Sequence, residues 1–189
     1  MKIALVHDWL PFMGGAERVV TNFLEIFNDA TIYTSVYNRE KLEGILRDCK
    51  IEGSFLQNIK SAVKDHRKFF PLMSIAFEMF DLNNYDVVLS SSSSCAKGII
   101  TNPDTCHICY CHSPMRYGWE FYYEYIQNAG KLKKFFVKYI MNYMRMWDRV
   151  SSDRVDYFIA NSKNVAKRIW KHYRRESFVI HPPVRSKFF

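Results

Sequence analysis

Short apolar runs alternate with segments of helical spacing along this chain, and the alternation restricts its fold more than any other feature. The first run is KIALV, and the next segment, residues 15–27, places Val19, Phe23, Ile26 and Phe27 on one helical stripe. Six later runs are typical of strands: ATIYTSV, KIEGSFL, DVVLSSSSS, CHICYC, VDYFIAN and SFVIHPP. Strands that alternate with helices need crossover connections. The sequence therefore predicts an α/β fold with a doubly wound parallel sheet and helices on both of its faces.

Two helical segments lie between the early strands. REKLEGIL at 39–46 predicts a short helix. Residues 59–80 are predicted to be largely helical, with a break or kink near Pro71, because proline cannot donate to the helical hydrogen-bond ladder.

Length and charge limit the possible partners. The 189 residues are 48% hydrophobic, which is enough for one well-buried domain. The 27 Lys and Arg residues exceed the 19 Asp and Glu residues and give a net charge of +8. This excess favours phosphorylated small molecules, anionic lipid headgroups or nucleic acid. The start of the sequence has no secretory pattern and no run of 18 apolar residues occurs, so we expect a cytoplasmic protein whose membrane contact, if any, is peripheral.

Five cysteines fit free thiols better than a disulfide framework. The segment CHICYCH at 106–112 contains residue types that bind zinc. In a strand, however, Cys106, Ile108, Tyr110 and His112 face one way, while the other three residues face the opposite way. No second ligand cluster accompanies them, so we expect no metal site.

The stretch HDWLPFMGGAERV puts Gly14 and Gly15 between the first strand and the first helix. Glycine tolerates positive φ and close backbone approach, and the first helical turn offers unpaired amides at a positive dipole end. Such a corner suits the phosphates of a nucleotide, and Gly14, Gly15 and Ala16 are the candidate phosphate-binding residues. A tight turn that needs glycine for its geometry alone explains the pair equally well.

Ligands of doubly wound sheets collect beyond the carboxyl ends of the strands. His112 ends a buried strand there and is the candidate catalytic residue. Arg116 adds a planar donor fork for phosphate or carboxylate, and Trp119 a face on which a sugar ring can stack. The serine run suits phosphate or sugar hydroxyls, or simply caps a helix. The candidate substrate-binding residues are Asp8, Trp9, Glu17, Ser91, Ser92, Ser113, Arg116 and Trp119.

Two basic, aromatic segments could contact a membrane. In residues 131–150, one side of the predicted helix is a stripe of apolar residues, and the favoured interpretation is that this stripe packs on the sheet. The cations on the opposite side can then contact lipid headgroups. The stripe holds Leu132, Phe135, Phe136, Tyr139, Ile140, Tyr143, Met144, Trp147 and Val150, and the cations are Lys133, Lys134, Lys138 and Arg145. Residues 58–73 combine cations with paired phenylalanines, which suits a lipid-linked acceptor or plain solvation.

Five segments in order resemble family four glycosyltransferases of the GT-B fold, and within them bacterial mannosyltransferases of O-antigen and capsule assembly. They are GGAERV, SSSSCAKG, CHSPMRYGWE, WDRVSSDRVDYFIANSKNVAKRI and VIHPPV. The resemblance implies a retaining transferase of two Rossmann-like domains, in which the first mainly holds the acceptor and the second the sugar nucleotide. It places the loop of Gly14 and Gly15 near the donor diphosphate and His112 near the transferred sugar.

The resemblance also defines domains and partners. Residues 1–181 match the acceptor-binding domain and 182–189 the start of the interdomain linker, whereas nothing matches the donor-binding domain with its paired glutamates. The implied substrates are GDP-mannose and a glycan or lipid-linked acceptor in lipopolysaccharide or other surface-polysaccharide synthesis, with no cofactor and no nucleic acid. We expect the first domain alone to be inactive.

Two other functions are less favoured. An oxidoreductase-type dinucleotide-binding domain would need a G-x-G-x-x-G first turn, which is missing. A nucleic-acid-binding protein would need a recognisable recognition module, and the aromatic residues fall mostly on predicted core stripes.

Overall fold

A computed structural model describes residues 1–127 and 131–183. Its centre is one sheet of seven parallel strands in the order β3-β2-β1-β4-β5-β6-β7. The strands are β1 (Ile3–His7), β2 (Thr31–Thr34), β3 (Ile51–Gly53), β4 (Val87–Ser92), β5 (Cys106–Cys111), β6 (Tyr157–Ala160) and β7 (Phe178–Val179). The chain winds outward from β1 to β3 and then returns to place β4 beside β1. This order confirms the predicted doubly wound, Rossmann-like sheet.

Eight α-helices surround the sheet in the described residues. They are α1 (Gly15–Ile26), α2 (Ile45–Asp48), α3 (Lys60–Lys64), α4 (Phe70–Glu78), α5 (Arg116–Trp119), α6 (Tyr122–Gln127), α7 (Lys131–Ser151) and α8 (Lys163–Tyr173). Short 3-10 turns lie at Arg39–Lys41, Phe55–Asn58, His66–Phe69, Ala96–Gly98 and Ser152–Arg154.

The helices cover both faces of the sheet, as predicted. On one face, Val20 and Leu24 of α1 pack with Leu5, Leu89 and Tyr110 of the strands. On the other face, α4 and α7 cover the middle of the sheet and α8 covers β5 and β6. The core residues that show this are Ala4, Val6, Val88, Met73, Phe77, Met144 and Trp147 in one cluster, and Cys109, Cys111, Phe158, Val165 and Ile169 in the other.

Two local predictions are wrong, and a third is right about the break but not about its cause. Ile26 of the α1 stripe is exposed, because the buried face of α1 turns toward Val20 and Leu24. The segment 39–46 is not one helix, since Gly44 at φ 55° separates a 3-10 turn from α2. Residues 59–80 are largely helical and break close to Pro71, as predicted, but the break is at 65–69. Pro71 does not cause it, since it lies in the first turn of α4, where its missing N–H costs no helical bond.

The packing of α7 also differs from the favoured interpretation. Met144 and Trp147 are buried, but the aromatic residues nearer its start are exposed, with 56% exposure for Phe135 and 64% for Tyr139. Phe136, Tyr143, Met146 and Val150 are exposed as well. Only one side of the second half therefore reaches the sheet. The side chains of Leu132, from the stripe, and of Lys133, from the cations opposite it, lie outside the described part.

The cysteine-rich strand divides its side chains as expected. Ile108 and Tyr110 pack on the α1 side, whereas Cys109 and Cys111 pack on the α8 side. All five cysteines are free thiols. Over residues 1–127 and 131–183, no three His, Cys, Asp or Glu side chains come together as a metal site, and no helix has the length and apolarity to cross a bilayer.

Candidate active site

The candidate residues gather at the carboxyl edge of the sheet, where β1 and β4 lie side by side. This pair is the point at which the strand order reverses, and such a point opens a ligand crevice. His7 pairs in register with Ser91, and Ser92 pairs with Cys111, directly before His112. The glycine corner, the serine run and the imidazole of His112 therefore lie together at the carboxyl edge of β1, β4 and β5, which we call the rim.

The imidazole of His112 is hydrogen-bonded to a serine of β4. Its Nε2 lies 2.8 Å from Oγ of Ser91. The same hydroxyl lies 3.1 Å from Nδ1 of His7, and that nitrogen is also 3.0 Å from the Ser91 carbonyl oxygen. The two histidine rings approach edge-on with centroids 6.5 Å apart, and Tyr110 supports His112 from the other side. Nε2 of His112 is thus engaged within the protein, and Nδ1 is the nitrogen left for a ligand.

Glu17 links the glycine corner to the same group. Its Oε1 lies 3.5 Å from Nε2 of His7, and both side chains are almost completely buried. The backbone amides of Gly14 and of Glu17 itself also help to lower the pKa of this carboxyl group. A Cβ on Gly14 would lie 2.7 Å from Oε2 of Glu17, so a larger residue here would displace the end of the Glu17 side chain. Gly14 has φ −138° and Gly15 no positive φ, so the positive φ that sequence reasoning allowed for this corner is not used.

Asp8 is buried and organises the loop after β4. Its Oδ2 accepts hydrogen bonds from the backbone N–H and the hydroxyl of Ser93, at 2.6 and 3.0 Å. Its Oδ1 accepts from the amide of Ala96 at 2.8 Å. The carboxylate of Asp8 therefore satisfies hydrogen-bond donors of the serine loop. Contact of Asp8 with a substrate stays a prediction.

The other two candidate serines, Ser92 and Ser113, have hydrogen-bond partners within the protein. The hydroxyl of Ser92 accepts from the amide of Lys97 at 3.4 Å, although the 3-10 turn at Ala96–Gly98 begins after Cys95 without a side-chain cap. Ser113 donates to the carbonyl of Pro114 at 2.9 Å. Both serines are buried at the rim, so their contact with a substrate stays a prediction.

Arg116 and Trp119 lie on α5, which follows the His112 loop. Arg116 is exposed, with its guanidinium 5.8 Å from the ring centroid of Phe121. Trp119 donates Nε1–H to Asp148 at 2.7 Å and stacks on His172 with centroids 4.5 Å apart. One face of the indole is therefore already covered. Sugar stacking by Trp119 stays a prediction for its other face.

Trp9 is half-buried beside His66, with ring centroids 4.7 Å apart. It lines a cavity of about 410 Å³ with mostly apolar walls. The remaining lining residues are His66, Arg67, Phe70, Met73, Tyr117 and Met141. A second cavity of about 490 Å³ shares His66 and Arg67 and is rich in cations. Its other lining residues are Pro11, Phe12, Asn38, Lys41, Lys60, Val63, Lys64 and Asp65.

Burial sets the charge state at the rim. Desolvation, aided by the charge of His7, lowers the pKa of His112 to about 4. Burial alone would raise the pKa of Glu17, but the hydrogen bond and charge of His7 together with the backbone amides lower it overall. His112 is therefore a neutral ring and Glu17 a carboxylate at neutral pH.

Two histidines should make the fold acid-labile. Burial lowers the pKa of His107, as of His112, from 6.5 to about 4. Between these pH values the unfolded chain binds more protons than the folded chain. The contribution of these two histidines to the free energy of unfolding is therefore fully present above about pH 6.5, and the free energy should decrease as the pH falls toward 4. Urea denaturation across this range measures the loss.

A matched variant isolates the effect of one ring. His107→Gln can keep a hydrogen bond to Ser90, which now lies 2.9 Å from Nε2, while it removes the titrating group. Its unfolding free energy should fall less steeply with acid, by the equivalent of about one proton. The same slope in both proteins would contradict the assignment.

The buried ion pair between Lys97 and Asp148 was missed by sequence reasoning. Nζ of Lys97 lies 2.5 Å from Oδ1 of Asp148, and the two side chains are 1% and 0% exposed. A signal was present: Asp148 lies on the helical face of Met144 and Trp147, where a charge needs a partner. Its partner, 51 positions away, could not be identified from spacing.

A family model described as Glycosyltransferase Family 4 matches residues 13–188. This range includes Gly14, Glu17, Ser91 and His112 and leaves out His7. No curated protein matches the chain.

Proposed function

Because the chain belongs to glycosyltransferase family 4, whose N-terminal domain has the GT-B form of this sheet, we propose that it is the acceptor-binding half of a retaining hexosyltransferase. Its donor is GDP-mannose and its product a cell-surface polysaccharide or lipopolysaccharide precursor. The observation that carries the proposal is the meeting of His112, Ser91 and the glycine corner at the β1–β4 crevice.

The glycine corner supports a role in binding the leaving diphosphate. The amides of Gly15 and Ala16 lie in the first turn of α1, where helix geometry gives them no intrahelical acceptor. A Cβ on Gly15 would meet no atom within 4 Å, so the approach to this turn is open. An anion there also meets the positive end of the helix dipole. The diphosphate and the sugar would then lie on neighbouring parts of one rim.

His112 would act on the transferred sugar. A neutral ring that binds Ser91 through Nε2 can offer Nδ1–H to a sugar hydroxyl or to the leaving phosphate oxygen. Such a fixed donor stabilises charge that develops in an oxocarbenium-like transition state. The donor nucleotide would be held mainly by a second Rossmann-like domain that faces this rim, with 182–189 as the start of the linker. Residues 184–189 lie outside the described part of the chain.

The two neighbouring cavities support a lipid-linked diphosphate as the acceptor. One is lined by Lys41, Lys60, Lys64 and Arg67 against a single carboxylate, Asp65, which suits phosphate. The adjoining one has aromatic and methionine walls, which suit the first apolar units of a lipid chain. His66 and Arg67 line both cavities, which places the two cavities next to each other.

The exposed face of α7 supports peripheral contact with the inner surface of the cell membrane. Phe135, Phe136 and Tyr139 are more than half exposed on one side of the helix, and Lys134 and Lys138 flank that side. Aromatic side chains insert at the headgroup level, and each nearby cation contributes about 1 kcal/mol on an anionic surface. A lipid-linked acceptor would be met at that surface.

Vesicle flotation tests the membrane contact. The chain should float with vesicles that contain anionic lipid at low salt, and much less with neutral vesicles or at high salt, because salt screens the lysines. Lys134→Glu/Lys138→Glu should weaken binding about 30-fold or more, since each reversal costs at least 1 kcal/mol. The matched reversal Lys167→Glu/Lys171→Glu on α8 should have little effect. Equal binding to neutral and anionic vesicles would exclude this contact.

Turnover by the complete enzyme tests the proposed function. It should transfer mannose from GDP-mannose to a lipid diphosphate-linked sugar with retention at the anomeric carbon. A panel of GDP- and UDP-sugars, each with lipid-linked and water-soluble acceptors, identifies donor and acceptor class separately. No transfer from any nucleotide sugar would refute the proposal.

A further inference from the structure

We propose that His7 is an imidazolium clamped between Glu17 and Ser91, and that through Ser91 it fixes His112 as the neutral tautomer with its proton on Nδ1. The inference rests on the proposed role of His112 and assigns His7, Glu17 and Ser91 as positioning residues for it. The three partners are 2–5% exposed, so no bulk water competes for their hydrogen bonds.

The first step concerns Nδ1 of His7. It lies 3.0 Å from the carbonyl oxygen of Ser91, and a carbonyl oxygen can only accept. Nδ1 must therefore carry a proton. Because Ser91 is the register partner of His7 across β1 and β4, the backbone itself holds this contact in place.

The second step concerns Nε2 of the same ring. It faces Oε1 of Glu17 at 3.5 Å, and the backbone amides of Gly14 and Glu17 lower the pKa of that carboxyl group. These amides, with the histidine, favour the ionised form of Glu17 despite its burial. A bare ring nitrogen would face that anion with a lone pair, so Nε2 carries a proton as well. His7 is then doubly protonated and carries one positive charge.

The third step passes through the hydroxyl of Ser91, which has one proton. Its Oγ shares the Nδ1–H of His7 with the Ser91 carbonyl oxygen, at 3.1 Å and 3.0 Å, and so directs its own proton to Nε2 of His112, 2.8 Å away. Nε2 of His112 is therefore the acceptor in this bond. Burial and the charge of His7 both lower the pKa of His112, which keeps the ring neutral. The remaining proton must be on Nδ1.

The consequence is a defined chemical role for His112. Nδ1–H is a hydrogen-bond donor, so the ring presents a donor to the ligand and cannot act there as a base. Oxygen acceptors, such as a sugar hydroxyl or a phosphate oxygen, are the ligand groups it can bind. The positive charge of His7, one ring behind with centroids 6.5 Å apart, favours an anion at the same place.

Nitrogen-15 NMR shows which ring nitrogens of His7 and His112 carry protons, and it needs no substrate. The 189-residue chain, labelled at its histidines, is measured at neutral pH by long-range proton–nitrogen correlation. We expect His112 to be neutral with the proton on Nδ1, and His7 to be protonated on both nitrogens. A proton on Nε2 of His112, or a singly protonated His7, would overturn the proposal.

Variants test each link. Ser91→Ala removes the hydroxyl that selects the tautomer, so His112 should become a mixture of the two neutral tautomers. The matched control is Ser90→Ala, which removes the neighbouring buried hydroxyl that bonds His107 and should leave the spectrum of His112 unchanged. Glu17→Gln should take the second proton from His7 while Nδ1–H remains on the Ser91 carbonyl. An unchanged His112 in Ser91→Ala, or an unchanged His7 in Glu17→Gln, would refute that link.

The NMR spectra test the arrangement of protons, and the turnover assay separately tests the proposed function of His112. If the tautomers are as expected but His112→Ala turns over normally, the proposed function of His112 is wrong and the arrangement stands. If the proton lies on Nε2, the arrangement is wrong whatever the turnover shows.

Discussion

Replacing His112 with alanine should reduce the turnover of the complete enzyme about 10²- to 10³-fold, the usual loss when one preorganised donor to developing charge is removed. The alanine removes Nδ1–H at the rim and leaves the glycine corner intact. The acceptor cavities do not include His112, so the acceptor KM should change little. Steady-state rates with saturating donor and acceptor measure the effect.

Two controls separate this loss from a folding defect. The imidazole of His112 makes one hydrogen bond, to Ser91, so the loss of that bond should cost about 1 kcal/mol of unfolding free energy. His112→Asn places an amide N–H near the position of Nδ1 and should recover part of the lost rate. Turnover of His112→Ala within a few-fold of the unchanged enzyme would remove His112 from the reaction.

Replacing Asp148 with alanine should lower the free energy of unfolding by about 3–5 kcal/mol, because it leaves the ammonium of Lys97 buried and unpaired. The carboxylate also accepts from Nε1 of Trp119 at 2.7 Å and from the hydroxyl of Tyr173 at 2.9 Å. Lys97 itself also donates to Ser151. One anion thus joins the loop after β4, the α5 segment, α7 and α8. Chemical denaturation followed by tryptophan fluorescence measures the change.

The double variant Lys97→Met/Asp148→Leu is the matched control. It removes both charges and keeps similar volume, and exchanges of this kind are often close to neutral. It should recover most of the stability, less the cost of leaving the Trp119 and Tyr173 donors without their acceptor. If Asp148→Ala were no less stable than the unchanged chain, the buried pair would not contribute as described.

The sheet and the rim were predictable because both follow from local pattern. Runs such as DVVLS and CHICYC are apolar on both faces, which is typical of strands buried between two helical layers. Once the strands are parallel, their carboxyl ends meet at one edge, so His112 and the glycine corner had to lie on the same side of the molecule.

The exposed face of α7 was not predictable from periodicity. With 21 residues, α7 is about 30 Å long, whereas a six-residue strand such as β4 spans about 20 Å, so the helix is longer than the sheet it covers. Phe135 and Tyr139 have the same helical spacing as Met144 and Trp147 but are not covered. A helical stripe records which side is apolar and carries no information on how far the sheet extends.

The contacts that orient the candidate site depend on register. Ser91 is one of five consecutive serines, and only the pairing of β4 with β1 and β5 selects it, rather than Ser90, as the hydroxyl between two histidines. Glu17 is a predicted substrate ligand whose carboxylate lies, in the structure, against His7 and the glycine corner, and its contact with a substrate stays a prediction.

A crystal structure of the complete enzyme with an unreactive GDP-mannose analogue tests the central claim most directly. The claim is that the β1–β4 rim is one half of the pocket for the activated sugar. We predict that Nδ1 of His112 lies within about 3 Å of a sugar hydroxyl or phosphate oxygen, with the diphosphate at the amides of Gly15 and Ala16. A sugar bound away from this rim, with Nδ1 of His112 in contact with solvent, would contradict the claim.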